Sequence, residues 1–150
     1  MSCHEIGRGM NSVVRTVMTL KDDGKITVDV AKIIIKSCLY GVNWCDGNSY
    51  EARDYIARCT CGRCLKLVPK GEGLYSVTDT SLPEDEMWSL LDDFVNSRLC
   101  EKCFDEIIGA YYKDEKAGER EREYIKSYCN EEYYKSTGEY SDTNNGYRWD

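Results

Sequence analysis

Two prolines, a single histidine and no long apolar run set the first limits on this 150-residue chain. A bilayer-spanning helix needs roughly 20 consecutive apolar residues. The longest runs, such as Ile33-Ile34-Ile35, fall far short of that, so no membrane helix is predicted. The opening, Met1-Ser2-Cys3-His4-Glu5-Ile6-Gly7-Arg8-Gly9, has none of the charged start, apolar middle and small-residue exit of a secretory signal, and a cytosolic protein is expected. His4 is the only histidine and is expected in a loose N-terminus, which leaves no obvious Ser-His or Cys-His dyad for nucleophilic chemistry. Neither a GxxxxGK(S/T) loop nor a strand-bound GxGxxG occurs. Acid pairs such as Asp92-Asp93 and Glu131-Glu132 carry no weight in a chain with 27 acids, where a solvated helix face accounts for them. An enzyme is not expected.

What is present begins with enough apolar material, 41% of residues, to build a core, so a wholly disordered chain is excluded. The length fits one ordinary domain or two small lobes. Charge is uneven: residues 1–75 hold 11 Lys+Arg against 8 Asp+Glu, net +3, and residues 76–150 hold 9 against 19, net −10. An acidic half argues against sequence-independent binding to a nucleic-acid backbone, where affinity comes from cations neutralising phosphates. It points instead to a protein partner or a solvated tail.

Hydrophobic spacing predicts a helical lobe over residues 1–57. Met10, Val13, Val14, Val17 and Met18 recur at helical intervals up to the Asp22-Asp23-Gly24-Lys25 stop. Thr27 is the expected cap of a second helix whose apolar stripe reads Val30, Ile33, Ile34, Cys38, Gly41 and Val42. Asn48 or Ser49 is expected to cap a third, bearing Tyr50, Tyr55 and Ile56. Residues 58–113 change texture. Leu65-Leu67 and Tyr75-Val77 read as the strands of a hairpin across Pro69-Lys70-Gly71-Glu72-Gly73. Ser81-Leu82-Pro83-Glu84 resembles a capping box before an acidic helix over about 82–96. A further helix is expected from Cys103 to Tyr112. Residues 114–135 predict a charged C-terminal helix with Glu119–Arg122 and Glu123–Lys126 pairs, and 136–150 a mobile tail.

Nine cysteines are the main clue, since a reducing compartment leaves thiols free or bound to metal. Cys61-Gly62-Arg63-Cys64 and Cys100-Glu101-Lys102-Cys103 are two Cys-x-x-Cys pairs separated by 35 residues. A two-residue gap lets two thiolates reach one tetrahedral ion, and two such pairs complete its shell. The predicted site is therefore a structural Zn2+ held by Cys61, Cys64, Cys100 and Cys103, with no open position for catalysis. Gly62 is expected to ease the chain's curl around sulfur, and a helix start at Cys100–Cys103 favours ionised thiols. Cys59 is an alternative to Cys61 as a ligand. Cys3, His4 and Cys45 are candidates for a second metal site, Cys38 for the core, and Cys129 for burial beside Ile125 and Tyr128.

Knuckle, hairpin, then a helix carrying the second pair resembles the treble-clef class of zinc-binding folds over residues 59–112, with an acidic helix inserted. The expected fold class is thus α+β and mostly helical: the N-terminal lobe, this zinc module and the C-terminal helix. For function, the expected partner surface combines Glu84, Asp85, Glu86, Asp92 and Asp93 with Tyr133, Tyr134 and Tyr140, since tyrosine is enriched at interfaces. Trp149 is a further aromatic candidate. Such acid rows can steer onto a basic groove of a nucleic-acid-handling protein. The Met1–Val14 opening, Cys59-Thr60-Cys61-Gly62-Arg63-Cys64, Cys100-Glu101-Lys102-Cys103 and the acidic, tyrosine-rich end resemble the small phage-encoded anti-CRISPR proteins, in particular the zinc-containing ones. That resemblance implies a protein of the bacterial host cytoplasm that binds the Cas9 nuclease and blocks its guide or target DNA. The alternative is a zinc module that binds nucleic acid through Arg58, Arg63, Lys66 and Lys70, as a phage or mobile-element regulator. Monomer and homodimer are both left open.

Overall fold

The computed structural model describes residues 3–40, 56–128 and 135–138. They fall into two compact units, one with residues 3–40 and 56, the other with 57–128 and 135–138. In the first, helices α1 (Cys3–Asp22) and α2 (Val28–Tyr40) pack against each other. Gly24, at φ +73°, lets α1 end in a reversal in which the Lys25 amide reaches the Leu20 carbonyl at 2.9 Å and its own amide reaches Lys21 at 3.0 Å. Thr27 caps α2 as the sequence suggests, its hydroxyl accepting from the Val30 amide at 3.2 Å. From α1, Met10, Val14, Val17 and Met18 are buried.

The buried face of α2 differs from the expected one. Ala31, Ile35 and Leu39 are buried and Cys38 is half-buried, whereas Ile33 is 66% exposed and Val30 and Ile34 stand in solvent. The stretch Val28-Asp29-Val30-Ala31-Lys32-Ile33-Ile34-Ile35 is apolar on more than one side. Two stripes at i, i+4 spacing compete, and packing against α1 selects one. Burial also pushes the Cys38 thiol above its usual range. The predicted third helix, with Tyr50 and Tyr55, lies outside the described residues apart from Ile56.

The second unit is built on a knuckle, a two-stranded antiparallel sheet and three helices. Thr60 pairs with Leu67 in an antiparallel bridge, and β1 (Tyr75–Ser76) pairs with β2 (Arg98–Leu99) in the register Tyr75↔Leu99. The expected hairpin between residues 65–67 and 75–77 is therefore not formed. Leu67 turns back onto its own knuckle, and Tyr75 finds its partner 24 residues on. Between β1 and β2 lie a 3-10 turn, Val77–Asp79, and helix α3 (Glu84–Asp92).

Helix α3 is shorter than predicted, and Ser81 is not its cap. Pro83 occupies that position with no side-chain bond, while the Ser81 amide is taken by the Glu121 carboxylate at 2.7 Å. Phe94 and Val95 leave the helix and are buried. Helix α4 (Glu101–Tyr111) follows β2 directly, with Phe104 and Ile108 at the centre of the core. Helix α5 (Glu115–Tyr128) contributes Ile125 to the same core. Its cations reach across to α4 instead of along their own helix: Lys126 lies 2.9 Å from Glu101 and 3.2 Å from Asp105, and Arg122 lies 3.8 Å from Asp105. A cation finds a partner more readily on a packed neighbour, where both side chains are already partly ordered.

Residues 135–138 depart from the expectation of a mobile tail beginning at 136. Lys135 bridges Gly73, and Ser136 is buried with its hydroxyl on the Val68 carbonyl at 2.6 Å and its amide on Glu72 at 2.7 Å. Gly138, at φ +82°, passes so close to Lys70 that a Cβ would sit 2.7 Å from that residue's own Cβ. No helix among the described residues is long and apolar enough to cross a membrane.

Candidate metal centre

Four cysteines meet in the second unit. Cys61 and Cys64 come from the knuckle, Cys100 is the residue capping α4, and Cys103 lies in its first turn. Their sulfurs all lie within 4.8 Å of one another, and those of Cys64 and Cys100 are 3.9 Å apart. A tetrahedron with metal–sulfur bonds of about 2.3 Å has sulfur–sulfur edges of about 3.8 Å. The cluster is close to that size and far from the roughly 2.05 Å of a disulfide; all four thiols are free. These side chains are thus close enough to hold a metal ion.

Local backbone chemistry explains the convergence. The Leu65 amide bonds the Cys61 carbonyl and the Cys61 amide bonds the Lys66 carbonyl, both at 3.0 Å, which folds 61–66 into a tight turn. The turn needs one residue in the left-handed region, and Leu65 takes it at φ +61°. That cost is offset by the complete burial of its side chain. Cys64's amide points at the Cys61 sulfur at 3.5 Å. Gly62 serves a different purpose from the one expected. Its backbone is clamped to the segment 95–98 that leads into α4, donating to the Arg98 carbonyl and accepting from the Val95 amide at 2.8 Å each, and a Cβ there would meet the Asn96 carbonyl oxygen at 1.9 Å. Close approach of two backbones, and no special φ, demands glycine.

The electrostatics follow from four sulfurs sharing one small space. The Cys61 thiol donates to Cys64, which, aided by nearby amides, is held down to about 5. Cys61 is raised by that same bond and by burial. Cys103 is pushed up to about 11, first by burial and then by the charge on Cys64. A dication would supply the charge needed to ionise the raised thiols of Cys61 and Cys103. Arg63 pairs with Glu106 one turn along α4, and its guanidinium also reaches Cys103. It holds the Glu106 carboxyl below the usual carboxylate range.

The other expected residues are distributed as follows. Cys59 is fully buried against the Thr60 hydroxyl at 3.7 Å, and the clustered residue is Cys61. Side-chain positions of Cys3 and His4, and all of Cys45, Cys129, Tyr133, Tyr134, Tyr140 and Trp149, lie outside the described residues. Glu84, Asp85, Glu86, Asp92 and Asp93 are exposed on and just after α3. Arg58, Lys66 and Lys70 are exposed; Arg63 is half-buried and pairs with Glu106 and Cys103.

One feature of this region escaped the sequence reading: Trp88, 57% exposed on α3 among the acids, with its indole N–H on Glu84 at 3.3 Å. Its signal was available, because residue 88 lies outside the Met87, Leu90, Leu91 stripe. No family model matches the chain, and no curated protein or solved structure matches it.

Proposed function

We propose that Cys61, Cys64, Cys100 and Cys103 hold one structural Zn2+, and that the chain is a non-enzymatic binding protein that docks on a cationic surface of a nucleic-acid-handling protein. The observation that carries this reading is the cluster of four free thiols within 4.8 Å. Four sulfurs are the donor set that suits zinc, and they close its shell to water and substrate. The ion would supply folding energy. Apparent binding free energies of about 10–16 kcal/mol are reached in small zinc modules.

The order of the elements supports a treble-clef arrangement in a split form: knuckle, β1, an insertion over residues 77–97, β2, and a helix that begins at the second cysteine pair. The insertion carries six acids and neither lysine nor arginine. Helix α3 within it buries none of its residues completely and exposes Trp88 beside Glu84. Carboxylates around an exposed indole suit an arginine- or lysine-bearing partner, through charge-assisted hydrogen bonds and cation–π contact. Inhibition of the Cas9 nuclease is the specific form of this reading that the sequence resemblance implies, and it rests on that resemblance alone.

Recovery of partners from host lysate, with the wild-type chain and with a Glu84→Gln/Asp85→Asn/Trp88→Ala triple variant, tests the docking surface. The reading fails if the variant retains every partner, or if elemental analysis finds no zinc. For the Cas9 form, undiminished target cleavage at excess protein is the negative result. The alternative, a nucleic-acid-binding module, is favoured by the exposed Arg58, Lys66 and Lys70. A mobility shift at low salt that weakens steeply as salt is raised would support it.

A further inference from the structure

The four clustered cysteines differ in residue exposure. Cys61, Cys100 and Cys103 are buried, and Cys64 alone is half-exposed. Its sulfur lies 3.9 Å from that of Cys100, which belongs to the other Cys-x-x-Cys pair. Closing that gap to a disulfide of about 2.05 Å requires a movement of about 2 Å. Rotation of a partly exposed side chain at the end of a turn can supply it.

Resting on the reading of the cluster as a metal centre, the geometry points to Cys64 as an oxidation site for hydroperoxides, with a Cys64–Cys100 disulfide as the product. The Cys64 thiolate attacks one peroxide oxygen, the O–O bond breaks, and hydroxide departs and takes a proton to become water. The Cys100 thiolate then attacks the sulfenic sulfur and displaces its hydroxyl group. The S–S bond forms, the S–O bond breaks, and a second hydroxide leaves as water after taking a proton. In total two thiolates, one hydrogen peroxide and two protons give one disulfide and two waters, with the sulfurs oxidised and the peroxide oxygens reduced. Cys61 and Cys103 remain as two sulfurs, too few to retain an ion that needs four. The new bond links the knuckle to the start of α4, the two segments the ion would otherwise hold. Oxidation thus exchanges one staple for another. A disulfide within either Cys-x-x-Cys pair would leave the segments untied.

The test uses the full chain as isolated. Metal per chain is counted first. One equivalent of hydrogen peroxide is then added, released metal is followed with a chromogenic chelator, free thiols are alkylated, and disulfides are mapped by mass spectrometry. The expected result is loss of one metal per chain with Cys64 and Cys100 joined, and the same outcome in a Cys59→Ser variant. A metal-loaded chain that keeps its metal, or that yields a Cys61–Cys64, Cys100–Cys103 or Cys59-containing disulfide, overturns the inference and leaves the metal centre standing. A chain with no metal before peroxide overturns both.

Discussion

The two units are held together by different means. Residues 3–40 form a helix pair whose cohesion comes from apolar side chains, with α2 offering more such surface than α1 covers. Residues 57–128 and 135–138 contain a core that includes Phe104 and Ile108, but their shape depends on backbone-to-backbone stitching: Gly62 to Arg98 and Val95, Val68 to Cys59, and Ser136 to Gly71 and Glu72. The sheet is only two residue pairs long and cannot organise this unit unaided. A helix pair tolerates error because hydrophobic contact is non-directional, whereas a knuckle works only if several backbones meet at fixed distances.

Metal removal should break this comparison most visibly. Chelation, or Cys100→Ser, is expected to weaken hydrogen-exchange protection in α4, α5 and the knuckle far more than in α1 and α2. An effect spread evenly over both units would mean that they fold as one. Next in size are truncations of buried side chains. Phe104→Ala in the second unit and Ile35→Ala in the first should each cost about 2–5 kcal/mol, measured by denaturant titration with probes in each unit.

Gly62→Ala should follow at about 3 kcal/mol, because the Cβ collides with a backbone carbonyl that cannot swing away. The same substitution at Gly109, where a Cβ meets nothing, serves as the control. Stability of the metal-free chain should depend on pH. Cys64 is held down to about 5 in the folded state from an ordinary 9.0, so the unfolded chain binds the extra proton between those values and stability rises with pH across them. Cys103 is pushed up to about 11, so stability falls again between 9 and 11. A maximum near pH 9 in thermal melts of chelated protein is the expected outcome; a flat profile contradicts it. Smallest of all, Ile33→Ala should change stability by no more than about 0.5 kcal/mol. A loss comparable to that of Ile35→Ala would restore the stripe read from the sequence.

Much of the helical content was legible because its signals are local. Thr27 three residues before an amide it can accept from, Gly24 after an apolar run, and the stripe of α4 each depend on a few neighbours. The cysteine pairs were legible for the same reason: two residues of spacing is itself a geometric statement. The strands were not. Leu67 and Tyr75 lie in alternating runs as hairpin strands should, but Leu67 pairs with Thr60 and Tyr75 with Leu99, 24 residues on. Ser81 likewise has the composition of a cap, but Glu121, 40 residues away, takes its amide.

The amino-acid sequence by itself determined which residues can turn, cap and donate sulfur, because these properties belong to single side chains and their near neighbours. Only the tertiary structure decided that Cys61, not Cys59, joins Cys64, Cys100 and Cys103, that Ala31, Ile35 and Leu39 are the buried side of α2, and that Gly62 must have no side chain. Each of those outcomes depends on a distance between segments that are remote along the chain, and such distances are set by how the whole unit packs.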